Sequence, residues 1–198
     1  MSGPPEKEAT RVLRKRRGYV NPELYPWAAL AMQLCPQRLI YQSIVDKDQV
    51  HGTVLEVGFG TGAQVVTYHH KANWVTATEI DPEAVEWATK MWPLPHTEWI
   101  VHDICAGGEF MVKFDTLFCI EVLEHVADPA QGMANIAKNL KVGGLAFISV
   151  PRGETTNELH KSSWDAQSFK DDLERCFDNV RVDEHTWNGY LLAECGYA

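Results

Sequence analysis

Short β-rich runs alternate with helical stretches from residue 52 to residue 151, and this alternation constrains the fold more than any other feature. The β-rich runs are "TVLEVG", "WVTATEI", "TEWIVHD", "TLFCIEV" and "GLAFISVP", with helical stretches such as "PEAVEWATKMW" and "PAQGMANIAKNL" among them. Strands that alternate with helices form a parallel sheet that the helices cover on both faces. The last two runs, "NVRVDEHTW" and "GYLLAECGYA", are close in sequence and predict an antiparallel pair at one sheet edge.

The length of the chain suits one doubly wound α/β domain. Its 198 residues, 45% of them hydrophobic and 23% charged, are typical of a globular protein with a single core. We assign residues 1–48 to a basic arm and helical extension, and residues 49–198 to the α/β domain, as parts of the same unit. The extension is predicted to be helical, with breaks at Pro26 and Pro36.

Charge and cysteine content bound the functional classes. Residues 1–17 hold six Lys and Arg against two Glu, whereas the whole chain has a formal net charge of −9. Nucleic-acid binding needs clustered basic side chains, so the acidic body favours a small-molecule partner, and the basic arm keeps nucleic acid as an alternative. Five widely spaced cysteines, the lack of a signal-peptide pattern and the lack of a transmembrane stretch predict a cytoplasmic protein.

A glycine-rich turn follows the first predicted strand, in "LEVGFGTGAQV". Gly58, Gly60 and Gly62 allow a tight turn and close approach of the backbone to a ligand. A helix is predicted from about Thr61, and its N-terminus favours negative charge. Glu79 ends the second strand, where a carboxylate can accept both hydroxyls of a ribose. These residues also satisfy the dinucleotide fingerprint, so a nicotinamide enzyme or a non-catalytic nucleotide-binding subunit stays an alternative.

Ionisable side chains follow the fourth predicted strand, in "IEVLEHV". If the chain turns helical there, Glu121, Glu124 and His125 share one face as i, i+3 and i+4 neighbours. Two carboxylates so close repel each other unless one is protonated or a cation lies between them. Open α/β sheets place their chemistry at the ends of such strands, so this segment is the candidate catalytic site.

Five segments together resemble the successive motifs of class I S-adenosylmethionine-dependent methyltransferases, in the branch of the ubiquinone-biosynthesis O-methyltransferases. They are "VLEVGFGTG", "TEIDPEAV", "VHDI", "IEVLEHV" and "LKVGGLAFISVP", and they cover about residues 52–151. The resemblance implies a Rossmann-like seven-stranded sheet of order 3-2-1-4-5-7-6 with strand 7 antiparallel. Val142 and Phe59 stand where the family commonly has proline and cysteine.

The resemblance also implies which residues hold the cofactor S-adenosylmethionine. Glu56 and the glycine turn would hold its methionine end, since a carboxylate suits an ammonium group and would repel a pyrophosphate. Glu79 would bind the ribose. The residues implied for the whole cofactor site are Glu56, Gly58, Gly60, Gly62, Glu79, Ile80, Asp103, Ile104 and Glu121.

Two hypotheses for "EVLEHV" follow from relatives. Some, including small-RNA 3′-end ribose methyltransferases, use a similar segment and a later histidine to hold a divalent ion. The ligands here would be Glu121, Glu124, His125 and His160, and the ion Mg or Mn. In relatives without a metal, Glu121 lines the cofactor site and His125 orients the acceptor or acts as a base, so both are candidate catalytic residues.

The sequence thus predicts a methyltransferase that acts on a small or medium-sized acceptor, with a hydroxyl as the expected group and divalent-metal assistance as one hypothesis. An RNA or sugar-phosphate hydroxyl is the alternative acceptor. The acceptor pocket is expected between the N-terminal helices, the loop of residues 151–163 and the C-terminal hairpin.

Overall fold

The computed structural model describes residues 35–107, 109–154, 156–187 and 189–197. The basic arm, the predicted break at Pro26 and most of the helical extension lie outside the described residues. Within those ranges, no helix has the length and apolar character needed to cross a membrane.

Seven strands form one sheet, in the order β3-β2-β1-β4-β5-β7-β6. Strand β7 runs antiparallel to both of its neighbours, and the other pairs are parallel. This confirms the predicted sheet order and the antiparallel hairpin. The strands are β1 Thr53–Val57, β2 Trp74–Glu79, β3 Thr97–Val101, β4 Phe114–Ile120, β5 Leu140–Pro151, β6 Asn179–Asp183 and β7 Tyr190–Gly196.

Five α-helices are described, and two of them begin at a sequence signal that can be recognised in advance. Asp81 and Asp128 each precede a proline, and their side chains accept hydrogen bonds from backbone N–H groups in the first turn. An acidic N-cap followed by proline at the first helical position favours helix initiation. The helices are α1 Pro36–Asp46, α2 Val65–Tyr68, α3 Pro82–Met91, α4 Pro129–Asn139 and α5 Ala166–Leu173.

Two helix predictions near the N-terminus need correction. Pro36 is the first residue of α1 and not an interruption, because a proline at this position has no N–H that would need a partner. The helix predicted from about Thr61 begins only at Val65. The backbone at Gly62 is left-handed, with φ of 74°, which keeps the chain in a turn until after that residue.

Successive side chains of β1 point to opposite faces of the sheet and join two different hydrophobic clusters. Val54 joins the cluster packed by α1, α2 and α3, whereas Leu55 and Val57 join the cluster packed by α4 and α5. Glu56 has the orientation of Val54 and therefore points towards α1 and α2. The carboxyl ends of β1, β2, β4 and β5 meet at one edge of the sheet, where the predicted site residues follow.

Candidate functional site

The glycine turn after β1 needs glycine at two positions for different reasons. At Gly58, with φ of 72°, a Cβ atom would lie 2.5 Å from Val122 Cγ2, so the turn packs directly on the segment after β4. At Gly60, with φ of 60°, a Cβ atom would meet nothing within 4 Å. The space above Gly60 is therefore open to a ligand, as the sequence predicts for a backbone that approaches a cofactor.

Glu79 links this turn to the end of β2. Its side chain is 5% exposed, and Oε2 accepts a hydrogen bond of 3.0 Å from the N–H of Gly60. Oε1 accepts from the N–H of Ile80 at 2.8 Å. The carboxylate is therefore fixed beside the open space above the turn, where it was predicted to bind a ribose.

The residues predicted near the adenine lie at the ends of β2 and β3. Ile80 is 41% exposed and Asp103 is also exposed, so both can contact a ligand. Ile104 is instead buried in the core, and its carbonyl oxygen accepts a 2.6 Å hydrogen bond from Asn135 Nδ2 on α4. Their roles toward a cofactor stay predictions.

Glu56 is buried and does not face the open cleft. Its carboxylate oxygens accept hydrogen bonds from the hydroxyls of Tyr41 and Tyr68. Burial raises the pKa of this carboxyl from 4.5 to about 8, although both hydrogen bonds lower it. The family resemblance implied a place for Glu56 in the cofactor site, whereas neither tyrosine could be linked to it in advance, because no local pattern connects residues so far apart in sequence.

The "EVLEHV" segment is not an α-helix, which was the condition for Glu121, Glu124 and His125 to share one face. Glu121 has left-handed backbone geometry, with φ of 59°, and only Leu123–His125 forms a short 3-10 turn. A left-handed residue interrupts a right-handed helix, so Glu121 does not share a helical face with Glu124 and His125. Such a conformation is uncommon for a non-glycine residue and is frequent at functional sites.

Glu121 is held in this position by β5. Ser149 Oγ donates a 2.8 Å hydrogen bond to Glu121 Oε1, and the N–H of Glu121 donates to the Ser149 carbonyl oxygen at 3.1 Å. Burial raises the pKa of the Glu121 carboxyl to about 7, and the Ser149 hydroxyl opposes this shift. Ser149 was missed by sequence analysis, although a polar residue inside the apolar run "GLAFISVP" is a signal that could have found it.

Three of the four predicted metal ligands come together. One ligand atom from each of Glu124, His125 and His160 lies within 4.8 Å of the others. The Glu124 side chain is 1% exposed, and its Oε1 lies 3.6 Å from His125 Nε2. Glu121 is not in this group, because its backbone conformation and its bond to Ser149 direct it elsewhere in the same cavity.

The loop after β5 orients both imidazoles. His125 Nδ1 lies 3.4 Å from the carbonyl oxygen of Leu159, and the N–H of Lys161 donates to the Glu124 carbonyl oxygen at 2.7 Å. If His125 donates from Nδ1, its Nε2 carries the lone pair that a metal ion or a proton would take. Asn157 Nδ2 lies 2.9 Å from His160 Nε2 and fixes the second ring.

These side chains open into a cavity of about 470 Å³. Its walls come from α1, the loop after β5 and the C-terminal hairpin, where an acceptor pocket was expected, and from the "EVLEHV" segment. Gln37 Nε2 donates a 3.0 Å hydrogen bond to the Tyr190 hydroxyl and so joins α1 to β7 across the cavity. The lining residues are Gln37, Glu121, Glu124, His125, Pro151, Asn157, His160, Gly189 and Tyr190.

Sequence comparison finds methyltransferases. A family model described as a methyltransferase domain matches residues 55–148. The ubiquinone biosynthesis O-methyltransferase of Xanthomonas oryzae pv. oryzae is 34% identical over 122 residues, which cover 59% of this chain and 49% of that protein. The chain thus spans about half the length of this curated relative. The match favours a methyltransferase over the nicotinamide enzyme, an alternative that rested on the glycine turn and Glu79.

Solved structures share the fold. The DhpI–SAH complex has a TM-score of 0.69 at 20% identity and covers 96% of this chain and 95% of that chain. The N-methyltransferase NodS from Bradyrhizobium japonicum WM9 in complex with S-adenosyl-L-homocysteine has a TM-score of 0.66 at 19% identity, covering 80% and 84%. At such identities the likeness establishes the fold, and the acceptor has to be argued from the site.

Proposed function

Because the chain belongs to the class I S-adenosylmethionine-dependent methyltransferases, we propose that it transfers a methyl group from this cofactor to a hydroxyl of a small or medium-sized acceptor. The observation that carries the proposal is the convergence of Glu121, Glu124, His125 and His160 on one cavity. This cavity lies beside the glycine turn, because Gly58 packs on Val122.

The cofactor fits the described residues at the glycine turn. Open space lies above Gly60, the fixed carboxylate of Glu79 lies beside it, and the exposed Ile80 side chain offers an apolar surface. When bound, S-adenosylmethionine supplies a methyl group on a positively charged sulfur. The protein has to align the acceptor with that methyl group and to exclude water from the site.

Removal of the acceptor proton is assigned to Glu121, or to His125 where no ion occupies its Nε2. A general base works best when its pKa lies near the operating pH, and burial places the Glu121 pKa at about 7. His125 presents Nε2 to the same cavity in the tautomer that donates from Nδ1 to Leu159. Ser149 holds the Glu121 carboxylate, so this base would need little rearrangement.

A divalent ion is the second part of the proposal. Glu124, His125 and His160 would hold it, since a buried carboxylate with two imidazoles is a ligand set that suits Mn and other transition ions, and Mg less well. A bound ion would polarise the acceptor hydroxyl and lower its pKa.

The chemical nature of the acceptor is proposed from the lining and from relatives. The curated relatives are named as O-methyltransferases, which supports oxygen as the accepting atom. A formal net charge of −9 supports a small molecule over RNA as the partner.

Calorimetric titration of S-adenosylhomocysteine, before and after chelator treatment, tests the cofactor separately from the metal. We expect binding in both samples. No binding in either would refute the cofactor assignment.

Metal content after incubation with Mn and desalting tests the second part. We expect about one ion per chain in the wild type and none in a Glu124→Ala, His125→Ala double variant. His51→Ala, at the opposite end of the sheet before β1, should keep the ion. A wild type that retains no ion would leave Glu121 and His125 as the bases without metal assistance.

A further inference from the structure

Glu56 receives hydrogen bonds from two helices on the same face of the sheet. Tyr41 lies on α1, and its hydroxyl donates to Oε1. Tyr68 is the last residue of α2, and its hydroxyl donates to Oε2 at 2.7 Å. The three residues are 15 and 12 positions apart in sequence, and all are at most 3% exposed. Each carboxylate oxygen therefore has its own donor from a different element.

Aromatic rings enclose this carboxylate. The rings of Tyr41 and Tyr68 are nearly parallel, with centroids 5.9 Å apart, and both pack on Phe118, at 5.1 Å and 4.7 Å. Among the described residues, no Lys or Arg forms an ion pair with Glu56. Burying a charge without a positive partner is costly, and two hydroxyl donors offset only part of that cost. The cluster is therefore prepared for a cation that the described chain does not supply.

The backbone of Glu56 is anchored next to the glycine turn. Glu56 precedes Gly58 by two residues, and its carbonyl oxygen accepts a 2.9 Å hydrogen bond from Thr78 Oγ1. The Thr78 carbonyl oxygen in turn accepts from the N–H groups of Gly58 and Phe59, at 2.8 Å and 3.1 Å. The end of β1 is thereby fixed to β2, and the distance between carboxylate and turn is set by the protein before any ligand binds.

We propose that Tyr41 and Tyr68 are positioning residues that hold the Glu56 carboxylate under the glycine turn as the counter-charge for the ammonium group of the cofactor. The inference rests on the proposed binding of S-adenosylmethionine. Because Glu56 is 1% exposed, it acts on the ammonium group through the electrostatic field of a low-dielectric interior and not through an open contact.

Helix α1 contributes to the acceptor cavity as well as to the Glu56 cluster. Gln37 and Tyr41 are i and i+4 neighbours, so they lie on one face of α1. Gln37 lines the acceptor cavity and bonds Tyr190, while Tyr41 bonds Glu56. The helix lies outside residues 55–148, which match the family model. An element beyond the matched domain therefore positions groups at both halves of the site.

Two ligands that differ only in the ammonium group test the role of the tyrosines. S-adenosylhomocysteine carries the group, and 5′-S-(3-carboxypropyl)-5′-thioadenosine lacks it. Each tyrosine hydroxyl favours the ionised carboxylate, so its loss should weaken binding of S-adenosylhomocysteine about tenfold, the equivalent of one pKa unit. We expect this for Tyr41→Phe and Tyr68→Phe, with a change of less than about twofold for the analogue. Glu56→Gln should likewise weaken binding of S-adenosylhomocysteine and leave binding of the analogue nearly unchanged.

Tyr197→Phe is the matched control, since Tyr197 packs on Phe177 on the opposite face of the sheet. It should leave both affinities unchanged. Thermal unfolding of each variant separates binding defects from loss of folded protein. Equal weakening of both ligands, or of neither, in folded Tyr→Phe variants would overturn the inference while leaving the proposed function intact. A wild type that does not bind S-adenosylhomocysteine would instead overturn the proposed function.

Discussion

Replacing Glu56 by glutamine should make the stability of the protein less sensitive to pH. Burial raises the pKa of this carboxyl from 4.5 to about 8. A group whose pKa is higher in the folded state contributes stability that is complete below its unfolded pKa and is lost as pH rises through its folded pKa. For Glu56 the loss therefore runs from pH 4.5 to about pH 8.

The size of the effect follows from the number of protons bound in each state. Between pH 6 and pH 8, Glu56 is ionised in the unfolded chain, while the folded chain still holds most of its proton. Each pH unit then lowers the free energy of unfolding by about 1.4 kcal/mol. Allowing for partial ionisation of the folded state near its pKa, the loss across this interval is about 2.3 kcal/mol. Glutamine has no proton to lose, so this contribution disappears in the variant.

Urea unfolding followed by tryptophan fluorescence at pH 6, 7 and 8 measures the effect. The unfolding free energy of Glu56→Gln minus that of the wild type should become more positive as pH rises, because only the wild type loses the contribution of Glu56. Glu86→Gln is the control, because Lys90 lowers the pKa of the exposed Glu86 carboxyl and it does not titrate in this range. A difference that stays constant from pH 6 to pH 8 would refute the argument that Glu56 is protonated in the fold.

Two further predictions concern the turn and the proposed base. Ser149→Ala removes the hydrogen bond that opposes the effect of burial, so the pKa of Glu121 should rise above about 7. Carbon-13 NMR titration of the Glu121 carboxyl measures this pKa. An unchanged midpoint would contradict the role of Ser149. Gly58→Ala should lower the free energy of unfolding by about 3 kcal/mol, because Val122 blocks the Cβ position, whereas Gly60→Ala, with open space, should lower it by about 1 kcal/mol. Equal losses in urea unfolding would contradict the packing argument.

Elements with local signals could be predicted from the sequence. An aspartate followed by proline marks the start of α3 and of α4. Asp81 and Asp128 cap these helices through their side chains. The β-rich runs became strands because their apolar residues are buried on both faces of the sheet. The order of the strands came from the family resemblance, since local patterns do not specify which strands pair.

The local geometry of the site could not be predicted in the same way. Helical spacing predicted a shared face for Glu121 and Glu124, but the left-handed backbone at Glu121 depends on its contacts with β5. His160 was assigned to the cluster by resemblance, and the loop contacts at Leu159 and Lys161 explain how it gets there. The hydroxyl of Tyr41 contacts Glu56 only because of tertiary packing, and no periodic pattern in the sequence indicates this contact.

Binding of the cofactor should release a proton from Glu56. In the protein alone, a pKa of about 8 keeps this carboxyl largely protonated at pH 7. A nearby ammonium group favours the ionised form, so binding should expel close to one proton. The titratable groups that interact with Glu56 are Tyr41 from α1 and Tyr68 from α2, which bond it, and Cys119 from β4, whose interaction is only electrostatic. Burial raises the pKa of all three, so they stay protonated at pH 7 and cannot be the source.

Calorimetry of S-adenosylhomocysteine binding at pH 7 in phosphate and in Tris detects this proton, because the two buffers differ in ionisation enthalpy. For the wild type, the apparent binding enthalpies should differ by nearly the whole difference between the buffers, and for Glu56→Gln they should agree. Equal enthalpies in the wild type would mean that Glu56 keeps its proton and that another group balances the ammonium charge. A difference that persists in Glu56→Gln would assign the proton to another residue. Because the measurement needs only the cofactor product, it locates the charge at the glycine turn before the acceptor is known.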